Sequence, residues 1–180
     1  MLMVCIVSLS FLWVTSVQAA RKNTRQLEYR IKAVYLYNFL KFIDIPDKQP
    51  NTEDEPFKIC VLEEDSLLSA ITIIKEKTTK GRPLQVEQIN SVNKAKQCHI
   101  VFIGVAKKHN LESTLNRLKR SGILTVSDMP EFAKKGGIIG FVIKRKKVRL
   151  EINLNAANRE GLKISANLLE VATIINKEEH

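Results

Sequence analysis

The chain has 180 residues, a formal net charge of +10 and three cysteines. Its apolar content is ordinary for a globular protein, and the absence of long Pro, Gly or Ser tracts argues against a disordered chain. A basic balance fits nucleic acid, an anionic membrane or an acidic protein partner, and it also fits a solvated surface rich in lysine.

The first residues predict export. Residues 1–20 carry no charged side chain, and an apolar core leads to Val17-Gln18-Ala19, a small-residue cleavage site. We expect a signal peptide over residues 1–19 and a single domain over residues 20–180, located in the periplasm. The apolar core is shorter than the span of about 20 residues that crosses a bilayer, and an uncleaved anchor is the alternative. Export argues against nucleic acid as a partner.

Apolar spacing predicts a helix over Arg25–Ile43. The periodic residues are Leu27, Ile31, Val34, Tyr35, Phe39 and Phe42, with a second set of Leu36, Leu40 and Ile43. A helix that is apolar over so much of its surface must be covered on more than one side. We therefore expect it to contribute to self-association or partner docking. The side chains expected at that interface are Tyr35, Tyr37, Leu40 and Phe42.

Strand and helix patterns then alternate, after an exposed loop over residues 44–56. The predicted strands are Phe57–Leu62, Leu84–Ile89, Cys98–Ile103 and Ile123–Val126. Helices are predicted from Asp65 or Ser66 to Lys77 and over Leu111–Lys119. Near-continuous apolar strands between helices indicate a mostly parallel sheet covered on both faces. The predicted fold is an α/β, Rossmann-like three-layer sandwich.

The carboxy-terminal part does not continue the alternation of strands and helices. Ile138–Ile143 and Val148–Ile152 predict an antiparallel hairpin, and Ser165–Ile175 a final helix. The hairpin tip holds the densest basic patch, formed by Lys144, Arg145, Lys146 and Lys147. A solvated tip is the simplest interpretation. The alternative is a basic rim that docks on an acidic partner or on anionic lipid headgroups.

Motifs for catalysis or metal binding are missing from the sequence. His99 lies within a strand and is interpreted as a satisfied sheet residue, His109 lies in a polar loop, and His180 is terminal. We therefore predict a protein that is not an enzyme, with no catalytic residue, metal or cofactor. The cluster Gly136-Gly137-Ile138-Ile139-Gly140 precedes a strand and does not open a helix. It favours a tight turn over a phosphate-binding loop.

Two cysteines remain once Cys5 is assigned to the signal peptide. An even count in an exported chain favours one disulfide between Cys60 and Cys98. The alternative is two buried thiols, because both residues lie in apolar runs.

Several stretches resemble the YfiR family. The segment Ile31-Lys-Ala-Val-Tyr-Leu-Tyr-Asn-Phe-Leu-Lys-Phe42 is similar to the opening helix of its members. The most specific stretch is Leu124-Thr-Val-Ser-Asp-Met-Pro-Glu-Phe-Ala133 with Gly136-Gly-Ile-Ile-Gly-Phe-Val142. The resemblance implies a Rossmann-like fold, and it places Cys60 and Cys98 at the positions of a family disulfide. The basic hairpin tip is heavier than the usual family turn.

The resemblance also implies a function. The best-known family member restrains a membrane-bound diguanylate cyclase from the periplasmic side, and so sets cyclic di-GMP levels and biofilm formation. We therefore expect a non-catalytic regulator that binds the periplasmic part of an inner-membrane signalling protein, with a homodimer as a further assembly. The alternative is a periplasmic sensor that binds a small ligand in a cleft at the carboxyl ends of the parallel strands.

Overall fold

The computed structural model describes residues 4–46, 55–63 and 65–175, with side chains from Asn23 onward except at residue 65. The helices are α1 (Val4–Phe42), α2 (Asp65–Ile71), α3 (Val92–Ala95), α4 (Leu111–Leu118), α5 (Leu154–Arg159) and α6 (Ala166–Glu170). The strands are β1 (Ile43–Asp44), β2 (Phe57–Leu62), β3 (Thr78–Thr79), β4 (Arg82–Ile89), β5 (Ile100–Ile103), β6 (Leu124–Ser127), β7 (Ile139–Lys144), β8 (Lys147–Asn153), β9 (Lys163–Ile164) and β10 (Ala172–Ile175).

The main sheet is mostly parallel. Its strand order is β10-β8-β7-β6-β5-β2-β4-β3. Strands β4, β2, β5, β6 and β7 run parallel to one another, and β8 returns antiparallel to β7 as the predicted hairpin. The sheet ends with β3 antiparallel to β4 and with β10 parallel to β8. The predicted α/β fold is confirmed.

Helices cover both faces of this sheet, as the apolar strands require. Alternate residues of β2 point to opposite sides: Ile59 and Val61 join a core with α1 and α2, whereas Cys60 and Leu62 join a second core with α3 and α4. Because both faces are buried, the strand does not alternate between apolar and polar residues.

The predicted final helix is wrong beyond Glu170. Residues Ala172–Ile175 form β10, which pairs with Leu150–Asn153 at the edge of the sheet. Threonine and two isoleucines suit a strand, and the unpaired backbone of β8 supplies the partner. The helix predicted to reach Lys77 also ends early, at Ile71, and passes into a 3-10 turn over Thr72–Ile74.

A disulfide joins Cys60 and Cys98. Cys60 lies in β2 and Cys98 shortly before β5, and the two strands are neighbours, so the Cα atoms are 6.0 Å apart. The bond lies in the core shared with α3 and α4. Closing a loop of 38 residues stabilises the fold by about 3–4 kcal/mol in the chain-entropy model.

The glycine cluster serves packing and turning. A Cβ atom on Gly137 would lie 2.1 Å from a ring carbon of Phe132, a residue that is almost wholly buried. Gly136 has a φ of 101°, which disfavours any residue with a side chain. Gly140 is different, because an added Cβ there would meet its nearest neighbour at 3.6 Å, an ordinary contact.

We expect Gly137→Ala to lower the free energy of unfolding by about 3 kcal/mol, because the fixed Phe132 ring cannot make room. Gly140→Ala is the matched control and should cost less than about 1 kcal/mol. Urea unfolding of both variants under non-reducing conditions measures the difference. Equal stabilities would contradict the close packing of Gly137 on Phe132.

Candidate partner-binding surface

Helix α1 has two apolar faces, of which the sheet covers one. The buried face comprises Tyr29, Ala33, Leu36, Phe39 and Leu40, and Ile43 of β1 continues it. About half a turn away around the helix, four apolar side chains are exposed, and we call them the outer stripe. They are Leu27 (58% exposed), Ile31 (39%), Val34 (43%) and Phe42 (39%). Basic residues, Arg30 and Lys41, flank this stripe.

The four side chains that the sequence analysis predicted at an interface differ in their exposure. Only Phe42 belongs to the outer stripe. Tyr35 is half-buried beside the rings of Phe39 and Phe141, and the Tyr37 hydroxyl donates a hydrogen bond of 2.8 Å to the carbonyl of Thr78. The expectation that Leu40 is exposed is wrong. It is 1% exposed in the centre of the buried face, so a charge there would unfold the domain.

A buried ammonium group fixes α1 on the sheet. The Nζ atom of Lys32 lies 2.5 Å from Oε1 of Glu28 and 2.6 Å from Oδ2 of Asp128, which follows β6. It also lies 4.6 Å from the centre of the Tyr29 ring. The Lys32 side chain is only 2% exposed, so its charge depends on these partners.

These contacts decide the protonation of Lys32. Burial by itself lowers the pKa of Lys32, but the hydrogen bonds and charges of Asp128 and Glu28 outweigh it, and the pKa is raised above the ordinary lysine value of 10.5. Lys32 is therefore cationic at every pH that a periplasm reaches. A raised pKa gives stability that is fully present below 10.5 and is lost as the pH rises through the folded-state value.

The basic tip projects past the carboxyl ends of the parallel strands. Asp128 contacts Lys32 at the same edge of the sheet. Strand β7 runs parallel to β6, and Gly140 pairs with Ser127, so β7 continues four residues further to Lys144. Arg145 and Lys146 form the turn with φ values of 51° and 60°. All four predicted rim residues are exposed, and Lys144 Nζ lies 3.4 Å from Glu151 Oε1. Lys32 meets Asp128 after the end of β6, and Tyr37 meets Thr78 beside the start of β4, so α1 runs from the carboxyl towards the amino ends of the strands. The stripe residues before Lys32 therefore extend towards this edge.

A concave region lies on the other face of the sheet. A cleft of 1030 Å³ separates α4 from α5 and reaches the turn before β7. Its floor includes Thr125, in the middle of β6. The cleft therefore lies on the sheet face and also contacts Lys108 and His109 after β5 and Met129 and Pro130 after β6, so it reaches the carboxyl ends of these strands, where the sequence analysis placed a ligand cleft.

The histidines do not form a reactive site in the described residues. His99 is buried, its Nδ1 accepts the backbone N–H of Lys58 at 3.0 Å, and its ring packs edge-on against Phe57. His99 is therefore a buried, hydrogen-bonded residue as interpreted, but it precedes β5, which begins at Ile100 and not at the predicted Cys98. His109 lies at the mouth of the cleft, and His180 lies outside the described residues.

The described residues hold neither a metal-binding cluster nor a membrane-spanning helix. No group of three His, Cys, Asp or Glu side chains that could hold a metal ion occurs among them. Within that same part of the chain, none of the helices has the length and apolar character needed to cross a bilayer.

The sequence profile of the YfiR/HmsC-like family matches residues 29–173. The chain belongs to the YfiR/HmsC-like family. This family is one of periplasmic proteins that regulate diguanylate cyclase signalling, and it is generally regulatory rather than catalytic. The match spans the buried face of α1, Asp128 and both cysteines. A comparison with curated proteins gave no match.

One solved structure shows the same type of fold at low sequence identity, and a second is similar to a lower degree. A conserved domain protein from Vibrio cholerae O1 biovar El Tor is 13% identical, covers 69% of this chain and 57% of its own, and has a TM-score of 0.50. CD0873, a substrate-binding protein with adhesive properties from Clostridium difficile, is 10% identical, covers 69% and 56%, and has a TM-score of 0.49. The chain thus spans less than two thirds of the length of either structure.

Replacing Lys32 by Met should lower the free energy of unfolding by about 2–4 kcal/mol, because Asp128 and Glu28 lose the cation that they face. Lys41→Met, on the exposed side of α1, is the control and should have little effect. Chemical unfolding at several pH values measures both. Above pH 10.5 the parent protein should lose stability relative to Lys32→Met. If Lys32→Met were as stable as Lys41→Met, the anchoring role of Lys32 would be refuted.

Proposed function

We propose that this protein is a periplasmic regulator that binds the extracytoplasmic part of a membrane-bound diguanylate cyclase and restrains its activity. The observation that carries the proposal is membership of the YfiR/HmsC-like family over residues 29–173. In this proposal the protein acts by binding, with no chemical step of its own. Loss of the protein then raises cyclic di-GMP and promotes biofilm formation.

The outer stripe of α1 supports a docking role. Solvent-exposed apolar side chains recur along one line of the helix, from Leu27 through Ile31 and Val34 to Phe42. Asn38 separates Phe42 from the other three, and a group of exposed apolar side chains on one face marks an interaction site more often than a single exposed residue does. Since Arg30 and Lys41 border the stripe, the fitting partner surface is apolar with an acidic border.

The basic tip supports a second, kinetic role. Lys144, Arg145, Lys146 and Lys147 lie beyond the edge of the sheet towards which α1 extends. Charges at the rim of an interface steer encounter and make association sensitive to salt, while the buried centre supplies most of the affinity. In this proposal the stripe binds, and the tip raises the rate of association.

Export and self-association complete the proposal. Residues 1–19 act as a cleaved signal peptide, which would leave residues 20–42 of α1 in the mature protein. The outer stripe could also pair with the same stripe of a second copy. A homodimer and the cyclase complex then compete for one surface, so dimerisation would limit the regulator available for binding.

We expect Val34→Asp to release the cyclase, because it places a charge in the middle of the outer stripe. Val105→Asp is the matched control, since Val105 is 53% exposed and Val34 is 43% exposed. Cyclic di-GMP is measured in cells that carry the native cyclase and express each variant from the same promoter. Val34→Asp should raise cyclic di-GMP at least severalfold, and Val105→Asp should leave it at the parent level.

Circular dichroism and periplasmic abundance show whether both variants fold and are exported equally. Restraint by Val34→Asp equal to that of the parent protein would rule out the stripe as the docking surface. If deleting the gene left cyclic di-GMP unchanged, the proposed function itself would be wrong.

A further inference from the structure

We propose that the cleft between α4 and α5 binds a small amphipathic anion, an organic molecule with an apolar body and one carboxylate. The cleft lies on the sheet face opposite α1, so this proposal does not depend on the outer stripe. Its volume of 1030 Å³ lies at the upper end of the range of about 300–1,000 Å³ that is common for small-molecule sites.

The residues at the floor of the cleft favour a ligand with an apolar body. It is formed by apolar side chains from α4, from the start of β7 and from α5. These are Leu111, Leu115, Leu118, Ile138 and Ala156. Leu111 and Leu115 are 7% and 8% exposed and the other three 2% each, so a molecule that lay against this floor would gain mainly van der Waals contacts with it.

The polar side chains of the floor are engaged within the protein. Thr125 Oγ1 accepts the backbone N–H of Ile138 at 3.1 Å. Asn153 Oδ1 accepts the N–H of Ala156 at 2.9 Å, and its Nδ2 donates to the carbonyl of Ala133 at 2.9 Å. The floor is therefore poorly suited to a sugar or another ligand that needs many hydrogen bonds.

The charged residues at the rim of the cleft favour a ligand with a negative charge. Its lysine and arginine residues are Lys108, Lys119, Lys135 and Arg159, against two acidic residues, Glu112 and Glu160. The Glu160 carboxylate accepts backbone N–H groups of Arg120, Ser121 and Gly122 at 2.8, 2.8 and 3.1 Å. These hydrogen bonds hold the Glu160 carboxylate on the backbone, and four cationic against two anionic side chains leave the rim with a net positive charge, so an anion is favoured.

The ligand class follows from floor and rim together. An aliphatic or aromatic carboxylate can lay its apolar body on the α4 leucines and direct its carboxylate to Lys119 or Arg159. Inorganic anions lack the body, and neutral alcohols lack the charge. Decanoate is a simple probe that has both.

Calorimetric titration of the full exported chain with decanoate, decan-1-ol and acetate tests this proposal. Decanoate should bind at one site per chain and about tenfold more tightly than decan-1-ol, and acetate should not bind measurably. The double variant Lys119→Gln/Arg159→Gln should weaken decanoate binding about fivefold to tenfold, since two exposed charge contacts are lost. Its affinity for decan-1-ol should not change.

The matched control is Lys144→Gln/Lys146→Gln, which removes the same charge at the hairpin tip. It should leave decanoate affinity within twofold of the parent value. Absence of saturable decanoate binding at millimolar concentration would overturn the proposal. It would also be overturned by equal affinity for decanoate and decan-1-ol, or by equal losses in the two double variants.

Discussion

The ion contact between Lys32 and Asp128 is the constraint on which the arrangement of the molecule depends. A lysine ammonium is rarely buried without acidic partners, and here two carboxylates lie within 2.6 Å of it. One partner, Glu28, belongs to α1 itself, and the other belongs to the segment that follows β6. This contact fixes the rotation of α1 about its own axis. Because Lys32 must face the sheet, Leu27, Ile31 and Val34 must face away from it.

One short segment of chain joins the buried face of α1 to the cleft. Asp128 holds α1 on one side of the sheet, while the next two residues, Met129 and Pro130, line the cleft on the other side. Ser127 holds the segment in place, because its Oγ donates to the carbonyl of Ile103 at 2.7 Å and accepts the N–H of Met129 at 3.1 Å. An occupied cleft would therefore contact the segment that holds α1 in place. That shared segment is a physical route by which a ligand could alter partner affinity.

Much of this fold could be predicted from the sequence. The parallel strands and the hairpin were predicted because continuous apolar runs and a charged tip are strong local patterns. The strand over Ala172–Ile175 was not predicted, since it forms only through pairing with β8. Short helices such as Val92–Ala95 were also missed, because four residues give no measurable periodicity.

The partner surface shows a different limit of sequence analysis. Both apolar sets of α1 were recognised, but periodicity alone does not say which set faces the sheet, and Leu40 was placed on the wrong side. The position of Lys32 was the available signal. It lies on the same side of the helix as Leu36 and Leu40, and the only acidic residue between Ile123 and Pro130 is Asp128. The cleft left no sequence signal, because its residues come from five separate segments.

Hydrogen–deuterium exchange of the protein, with and without the extracytoplasmic part of the proposed partner cyclase, tests the central claim most directly. The account predicts slower exchange on complex formation in residues 24–42 of α1 and at the hairpin tip, with α4 and α5 unchanged. Protection confined to α4 and α5, with α1 exchanging as in the free protein, would contradict it.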